Sequence, residues 1–209
     1  MIRTIIFDMD GTMVNSKEAN LKSLNKSIEK YNYPPISADD YEIAYSMSGR
    51  DVLSYFGVSD NDLDKMKEDW TVEMDKIRED ALLFEGIEET LKELKARGYK
   101  LGVITSRESA GALKDIKRFN LSHYFEEIVT VSDIDNPKPH RDSLDLYISK
   151  TGEDIEKIIY VGDSIHDSDF AKNANIPFVL GLWGAVNPDV DATIKLEDPR
   201  DLLRYIEDQ

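Results

Sequence analysis

The amino-acid sequence predicts an α/β fold: a parallel-sheet core with helices on both faces, plus an α-helical domain inserted after the first strand. Three observations support this prediction. An apolar run opens the chain at residues 2–7, and apolar side chains then recur at helical spacing over residues 16–80. From residue 82 onward, strand-like and helix-like runs alternate. Such alternation is typical of βαβ units, which form parallel sheets.

The helical insert is predicted from two stripes of apolar residues. They are Leu21, Leu24, Ile28 and Tyr31, and then Leu63, Met66, Trp70, Met74 and Ile77. The segment "YPPIS" separates the first helix from the next, because its prolines break the helical pattern. We interpret the stripes as the packing core of a helical domain. This domain is predicted to comprise residues 16–81, and the α/β core residues 1–15 and 82–209.

The core elements follow one another in alternation after the strand of residues 2–7. The helix "IEETLKELKARG" is predicted to end at Gly98, with basic residues in its last turn, where positive charge stabilises a helix C-terminus. Further strands are predicted at residues 99–105, 126–131, 157–163, 176–182 and 191–196. Further helices are predicted at residues 109–119, 143–152, 168–175 and 199–208.

Composition limits the possible functions. The chain has 209 residues, 41% of them hydrophobic, and 26 basic against 42 acidic residues give a formal net charge of −16. This charge repels nucleic acid and anionic membranes, so neither is an expected partner. The sequence contains no cysteine, which excludes disulfides and cysteine nucleophiles. No apolar run is long enough to span a bilayer, and without a signal peptide the protein is expected to be cytoplasmic.

Polar side chains follow four of the predicted core strands, at the carboxyl ends where open parallel sheets bind ligands. They are Asp8 and Asp10 after the first strand, Thr105 and Ser106 after the second, Lys138 after the third, and Asp163 and Asp167 after the fourth. Each group alone also has an ordinary explanation, as turn residues, helix caps or a solvated lysine. Together they supply the carboxylates, hydroxyls and amine that can hold a divalent cation and a phosphate.

These motifs also resemble a known family. The motif "DMDGT", a hydrophobic strand ending in Thr105, Lys138 in "KPH", and the motif "GDSIHD" together resemble the haloacid dehalogenase superfamily of phosphohydrolases. Within that superfamily the chain most resembles the phosphoglycolate phosphatase and β-phosphoglucomutase group. The resemblance covers nearly the whole chain. It implies a Rossmann-like core and identifies the helical insert as a small cap domain.

The resemblance implies a catalytic set of four residues. Asp8 would be the nucleophile and would form an aspartyl-phosphate. Asp10, which can face the same side of the strand end as Asp8, would be the general acid and base. Thr105 would bind phosphate oxygens, and Lys138 would add the positive charge that the acidic chain otherwise lacks.

The resemblance also implies a Mg²⁺ cofactor and a substrate-binding set. The metal residues would be Asp8, Asp10 through its backbone carbonyl, Asp163 and Asp167, with Asp167 orienting a metal-bound water or Lys138. The substrate-binding residues would be Gly11, Thr12 and Ser106 in the core, and Gly49 and Arg50 in the cap. Gly11 allows a sharp turn next to the ligand. Gly49 and Arg50 are predicted to lie in a helix-breaking turn of the motif "SMSGRDVLSYFG".

The leading functional prediction is a Mg²⁺-dependent phosphatase that acts on a small phosphorylated metabolite such as phosphoglycolate. Asp10 favours phosphoryl transfer, since true dehalogenases of the superfamily lack an aspartate there. A sugar-phosphate mutase remains an alternative, although Asn20 lies near the place where mutases of the group carry a histidine. A phospho-acceptor signalling domain and a non-catalytic binding domain are further alternatives. Monomer and homodimer are both open.

Overall fold

The computed structural model describes residues 1–45, 47, 49–77 and 80–207. Two compact units are present. The first, the α/β unit, comprises Met1–Val14 and the chain from Leu83 onward, and the second, the helical unit, comprises Asn15–Leu82. The chain therefore leaves the α/β unit after the first strand and returns to it later.

Eight strands and nine α-helices lie within the described part of the chain. The strands are β1 (Thr4–Phe7), β2 (Val14–Asn15), β3 (Leu82–Leu83), β4 (Lys100–Ile104), β5 (Phe125–Val129), β6 (Ile158–Gly162), β7 (Phe178–Gly181) and β8 (Ile194–Leu196). The helices are α1 (Lys17–Glu29), α2 (Ala38–Ala44), α3 (Gly49–Tyr55), α4 (Asp60–Ile77), α5 (Ile87–Ala96), α6 (Ser109–Arg118), α7 (Asp142–Thr151), α8 (Ile165–Ala174) and α9 (Asp201–Glu207).

Six strands form one parallel sheet in the order β5-β4-β1-β6-β7-β8. Strand β1 lies inside this sheet, where Thr4 is in register with Lys100 on one side and with Ile158 on the other. Its residues are all buried, as expected for a strand that is covered on both faces. The strand order reverses between β1 and β6, and open α/β sheets bind ligands at the carboxyl ends beside such a reversal. The predicted α/β class is confirmed.

The helical unit has its own hydrophobic core. The core residues from the two apolar stripes are Leu24, Ile28, Leu63 and Met66, with Leu21, Tyr31 and Trp70 packed against them. For these residues the packing role predicted from the helical spacing is confirmed. Trp70 also donates from its indole nitrogen to the Ser23 hydroxyl over 2.9 Å, which satisfies a polar atom inside the unit.

Two local predictions were wrong. Gly49 and Arg50 do not form a helix-breaking turn but are the first two residues of α3, a position where glycine is tolerated and Asp51 in the first turn favours a helix. Helix α8 begins at Ile165, three residues earlier than predicted, because Ser164 caps it. The predicted end of the last helix, at Asp208, falls outside the described residues. Within the part of the chain that is described, no helix has the length and apolar character to cross a membrane.

Candidate active site

The loop that follows β1 packs tightly against the residue that follows β6. Gly11 has a φ of 75°, and a Cβ atom there would lie 2.1 Å from Oδ2 of Asp163. Glycine is therefore required for two reasons, the left-handed backbone and the close approach. The next residue, Thr12, is buried and donates from its hydroxyl to Oδ1 of Asp163 over 3.0 Å. Its side chain thus orients Asp163, and the substrate-binding role that the resemblance implies for Gly11 and Thr12 stays a prediction.

A third element, the loop after β7, also contacts this loop. The loop after β7 carries Trp183, whose indole nitrogen donates to the backbone carbonyl of Thr12 over 2.8 Å. Gly184 follows, and a Cβ atom there would lie 1.7 Å from the carbonyl oxygen of Gly11. Neither residue was predicted. The loop of residues 8–12 is therefore held by contacts from two other strand ends as well as by its own hydrogen bonds.

Asp167 lies in the first turn of α8 because of a capping box. Ser164 accepts from the Asp167 backbone nitrogen over 3.2 Å, and Oδ2 of Asp167 accepts from the Ser164 nitrogen over 3.1 Å. This reciprocal pair satisfies two backbone donors at the helix N-terminus. The same Oδ2 atom accepts from the Ser164 hydroxyl and from the backbone nitrogen of Asp163. The motif "GDSIHD" therefore builds its own helix cap while it aligns two aspartates.

Lys138 links Asp8, which follows β1, to Asp167, which lies beyond the end of β6. Its Nζ lies 2.9 Å from Oδ1 of Asp8 and 2.6 Å from Oδ1 of Asp167, and it is 3.0 Å from the hydroxyl of Tyr160. A lysine ammonium has three donors, and these three contacts engage all of them. Tyr160, on β6, is fully buried, and its hydroxyl is also 3.2 Å from the carbonyl oxygen of Ile104. Tyr160 was not predicted, and a polar atom in the middle of a buried strand is the signal that could have revealed it.

The electrostatics of this cluster follow from its burial. Burial raises the pKa of Asp8 to about 7; the negative charges of Asp167 and Asp10 act in the same direction, and Lys138 acts against them. Burial, with Asp167 and Asp8, also raises the pKa of Asp163 well above its ordinary value. For Asp167 burial is outweighed by Lys138 and the capping hydrogen bonds, so its pKa lies below its ordinary value.

Lys138 stays charged in these surroundings. Burial alone would lower the pKa of its ammonium group, but the carboxylates of Asp167 and Asp8 outweigh burial and raise the pKa well above its ordinary value. A fixed positive charge therefore lies directly beside an oxygen of Asp8. Such preorganised charge is what a site needs when two anionic groups must approach each other.

The carboxylates fit a divalent cation. One oxygen each of Asp8, Asp163 and Asp167 lie within 4.8 Å of one another, and all three residues are buried. When all three carboxylates are ionised, as metal ligands are, they leave two negative charges beside the one ammonium of Lys138, which matches the charge of Mg²⁺. Hard oxygen donors are the ligands that Mg²⁺ prefers. Both oxygens of Asp167 already accept hydrogen bonds, so its contacts favour the positioning of Lys138 over direct ligation.

The Asp10 side chain is engaged by an arginine that the sequence prediction did not include. Nε and Nη2 of Arg107 donate to the two carboxylate oxygens of Asp10, and Nη1 donates to Oδ2 of Asp115. Arg118 also reaches Asp115, over 3.1 Å. Burial disfavours the charged form of Arg107, but the two carboxylates outweigh burial and raise its pKa. The signal in the sequence is that Arg107 follows directly after Thr105 and Ser106, at the carboxyl end of β4.

The two residues that follow β4, Thr105 and Ser106, differ in their exposure to solvent. Thr105 is buried, and its hydroxyl accepts from the backbone nitrogen of Arg107 over 3.2 Å. Ser106 is exposed. The N-cap of the following helix α6 is Glu108, so neither residue caps that helix. The phosphate-binding role of Thr105 and the substrate-binding role of Ser106 stay predictions.

The structure thus brings part of the predicted site together. The hydrogen-bonded cluster consists of Asp8, Thr12, Lys138, Asp163 and Asp167. Gly49 and Arg50 belong to the helical unit, where Arg50 forms an exposed ion pair with Asp64. Their substrate-binding role stays a prediction.

Comparison with known proteins now identifies the family. Residues 5–180 match the family described as haloacid dehalogenase-like hydrolase. The chain belongs to this family. The prediction of a haloacid dehalogenase superfamily member, and of a hydrolase, is confirmed. The pyrophosphatase PpaX of Bacillus pumilus (strain SAFR-032) is 34% identical over 169 residues, which are 79% of this chain and 76% of that relative. PpaX of Halalkalibacterium halodurans is 29% identical over 99% of this chain and 94% of its own.

Solved structures of the family have the same fold. A HAD-superfamily hydrolase of subfamily IA from Geobacter sulfurreducens PCA superposes with a TM-score of 0.76 at 29% identity, covering 98% of this chain and 96% of that one. A predicted phosphoglycolate phosphatase from Haemophilus somnus 129PT superposes with a TM-score of 0.87 at 25% identity, covering 98% of each chain.

Proposed function

We propose that the protein is a Mg²⁺-dependent phosphatase that hydrolyses a small phosphate monoester, such as phosphoglycolate, through an aspartyl-phosphate on Asp8. The observation that carries this proposal is the contact of 2.9 Å between Nζ of Lys138 and Oδ1 of Asp8, inside a buried group of three carboxylates. An oxygen nucleophile, a fixed cation and a set of metal ligands then share one place. The substrate is a small phosphorylated metabolite, and the location is cytoplasmic.

The protein residues divide the reaction into two steps. In the first, an Oδ atom of Asp8 attacks phosphorus, the ester P–O bond breaks, and Asp10 gives its proton to the leaving alcohol. In the second, Asp10 takes a proton from a water molecule as that water attacks phosphorus, and the bond between phosphorus and Asp8 breaks. Thr105 and the backbone of Ser106 bind phosphate oxygens, and Lys138 neutralises part of their charge.

Mg²⁺, when it is bound by Asp8, Asp163 and the backbone carbonyl of Asp10, supplies positive charge that lowers the repulsion between the carboxylate and the phosphate. The chain itself keeps these ligands in place. Thr12 donates a hydrogen bond to Asp163, and Trp183 donates one to the backbone of the loop after β1. Asp167 keeps Lys138 beside the nucleophile.

Pyrophosphate hydrolysis is the second candidate, since the relative with 34% identity is a pyrophosphatase. The same groups serve this reaction, because a phosphate then takes the place of the leaving alcohol. A sugar-phosphate mutase would use these groups as well, but a second hydroxyl of the substrate, and not water, would accept the phosphoryl group. The products therefore distinguish the three reactions.

The test is a panel of phosphorylated metabolites with pyrophosphate and 4-nitrophenyl phosphate, in which free phosphate is measured with Mg²⁺ and with EDTA. We expect release from at least one phosphate monoester, which EDTA abolishes and added Mg²⁺ restores. Asp8→Asn should abolish turnover, and Asp169→Asn, which changes an exposed aspartate of α8, should leave it unchanged. Substantial turnover by Asp8→Asn would refute the nucleophile assignment. Turnover confined to pyrophosphate would favour the second candidate.

A further inference from the structure

Arg107 connects two carboxylates that belong to different elements of the α/β unit. It donates to both oxygens of Asp10, in the loop after β1, and to Asp115, in α6. Its side chain is 13% exposed, and those of Asp10 and Asp115 are 27% and 1% exposed. The planar guanidinium group thus meets Asp10 through two parallel hydrogen bonds and Asp115 through a third.

We propose that Arg107 is a positioning residue for catalysis, which fixes the Asp10 carboxyl group in the orientation from which it exchanges protons with the leaving group and with water. The inference rests on the proposed function, because it assigns Asp10 as the general acid and base. It adds a residue from the carboxyl end of β4 to the reaction, although Arg107 itself need not touch the substrate.

The two parallel hydrogen bonds from Arg107 to Asp10, called the fork below, restrict the orientation of the Asp10 carboxyl group. A side chain with 27% exposure, such as that of Asp10, can turn between staggered rotamers unless something holds it. Two parallel N–H donors fix both the position and the plane of a carboxyl group, which a single point charge does not do. When Asp10 carries its proton on one oxygen, that oxygen gives up its contact with Arg107, and the other oxygen still accepts, so one of the two hydrogen bonds persists through proton transfer.

The anchoring of Arg107 is the second argument. Its backbone nitrogen donates to the hydroxyl of Thr105 over 3.2 Å, directly at the end of β4. At the far end of its side chain, Asp115 is buried and is also held by Arg118. Hydrogen bonds therefore hold Arg107 at both its backbone and its guanidinium group, which suits a residue that positions another one. An arginine that only stabilised α6 would not need to spend two of its donors on Asp10.

Proton transfer to the leaving group gives the inference a specific consequence. An alkyl alcohol leaves only with a proton, whereas nitrophenolate leaves readily without one, so the two substrates depend differently on Asp10. Misplacement of a reacting group by about 1 Å can lower the rate on the order of 100-fold. Loss of Arg107 should therefore lower kcat/KM strongly for alkyl phosphates and weakly for nitrophenyl phosphate.

The experiment compares the wild type with Arg107→Met, Arg107→Lys and the matched control Arg118→Met, which removes the other arginine on Asp115. Values of kcat and KM are measured with Mg²⁺ for an alkyl phosphate, phenyl phosphate and 4-nitrophenyl phosphate. For Arg107→Met we expect a loss of kcat/KM of about 100-fold on the alkyl phosphate, falling to about threefold or less on 4-nitrophenyl phosphate. Arg107→Lys keeps the charge without the fork and should show the same trend at smaller amplitude. Arg118→Met should lower kcat/KM by a similar small factor on all three substrates.

Thermal unfolding separates folding from positioning. If Arg107→Met fails to fold, Arg107→Lys carries the same test. An equal loss on all three substrates would refute the inference, and so would full activity of Arg107→Lys on the alkyl phosphate, since charge alone would then suffice. A wild type without phosphatase activity refutes the proposed function instead. An active wild type with a uniform loss in the Arg107 variants refutes only the role of Arg107.

Discussion

Raising the pH should destabilise the metal-free protein more than it destabilises the Asp8→Asn variant. Burial raises the pKa of Asp8 from 3.8 to about 7. Because the folded pKa lies above the unfolded one, the folded state holds more protons in this interval, and the free energy of unfolding falls as the pH rises. The loss of folding stability begins near the unfolded pKa of 3.8 and is complete above the folded pKa of about 7. Asparagine carries no charge at either pH and so escapes it.

The size of the effect follows from the two pKa values. A single carboxyl group with this shift loses roughly 2–3 kcal/mol of folding stability between about pH 5 and pH 8. The charge of Asp8 also helps to raise the pKa of Asp163. Asp8→Asn therefore lowers the pKa of Asp163 as well, which further reduces the pH dependence of the variant's stability. The wild type should therefore lose roughly that much more stability than Asp8→Asn over this interval.

The assay is urea unfolding in EDTA at both pH values. The chain has two tryptophans, and a Trp70→Phe background leaves Trp183 as the fluorescent probe of the α/β unit. Asp169→Asn on the exposed face of α8 controls for the general effect of removing one negative charge from an acidic chain. At the higher pH, Mg²⁺ should restore more stability to the wild type than to Asp8→Asn. Equal pH dependence in the two proteins would contradict the reasoning, because Asp8 would then not be strained by burial.

Two further substitutions test the packing and hydrogen bonds of the site. Gly11→Ala should both lower stability and weaken Mg²⁺ binding, because the added Cβ would meet Asp163. Gly152→Ala is the control: Gly152 also has a positive φ, 72°, but a Cβ there has no atom within 4 Å. This control measures the backbone strain alone, about 1–2 kcal/mol. Equal behaviour of the two variants in calorimetric Mg²⁺ titrations would show that the close approach is unimportant. Tyr160→Phe removes the hydroxyl beside Lys138 and should lower kcat and stability, the latter by about 1–3 kcal/mol, with little effect on KM. An unchanged kcat would mean that the two carboxylates alone hold Lys138.

The strand ends of the site could be predicted because strand periodicity is a local property. Asp8, Thr105 and Asp163 directly follow buried strands, and a parallel sheet brings such ends to one edge. No comparable rule covers side chains that meet across the sheet. Arg107 finds Asp10 through a turn between β4 and α6, and the sequence does not reveal the direction of a long side chain after a turn.

Local competition explains the other differences. The motif "GDSIHD" reads equally well as a loop or as a helix cap, and the capping box decides for the helix because both partners are satisfied at once. Gly49 reads as a helix breaker, yet a helix tolerates glycine where its first turn begins, and Asp51 favours that end. In both cases a residue typical of turns lies at the start of a helix, where such residues are also favoured or tolerated.

The charge of the whole chain and the charge of the site lead to the same requirement. A chain with a net charge of −16 repels an anionic phosphate, and the buried carboxylates around Asp8 add to that repulsion at short range. Lys138 offsets one charge, but its ammonium is shared between Asp8 and Asp167 and is fully engaged. In the proposed reaction, a divalent cation among those carboxylates would reverse the balance where the phosphate binds. Binding of metal and of substrate should therefore be coupled, each strengthening the other, as linkage requires when one charge serves both.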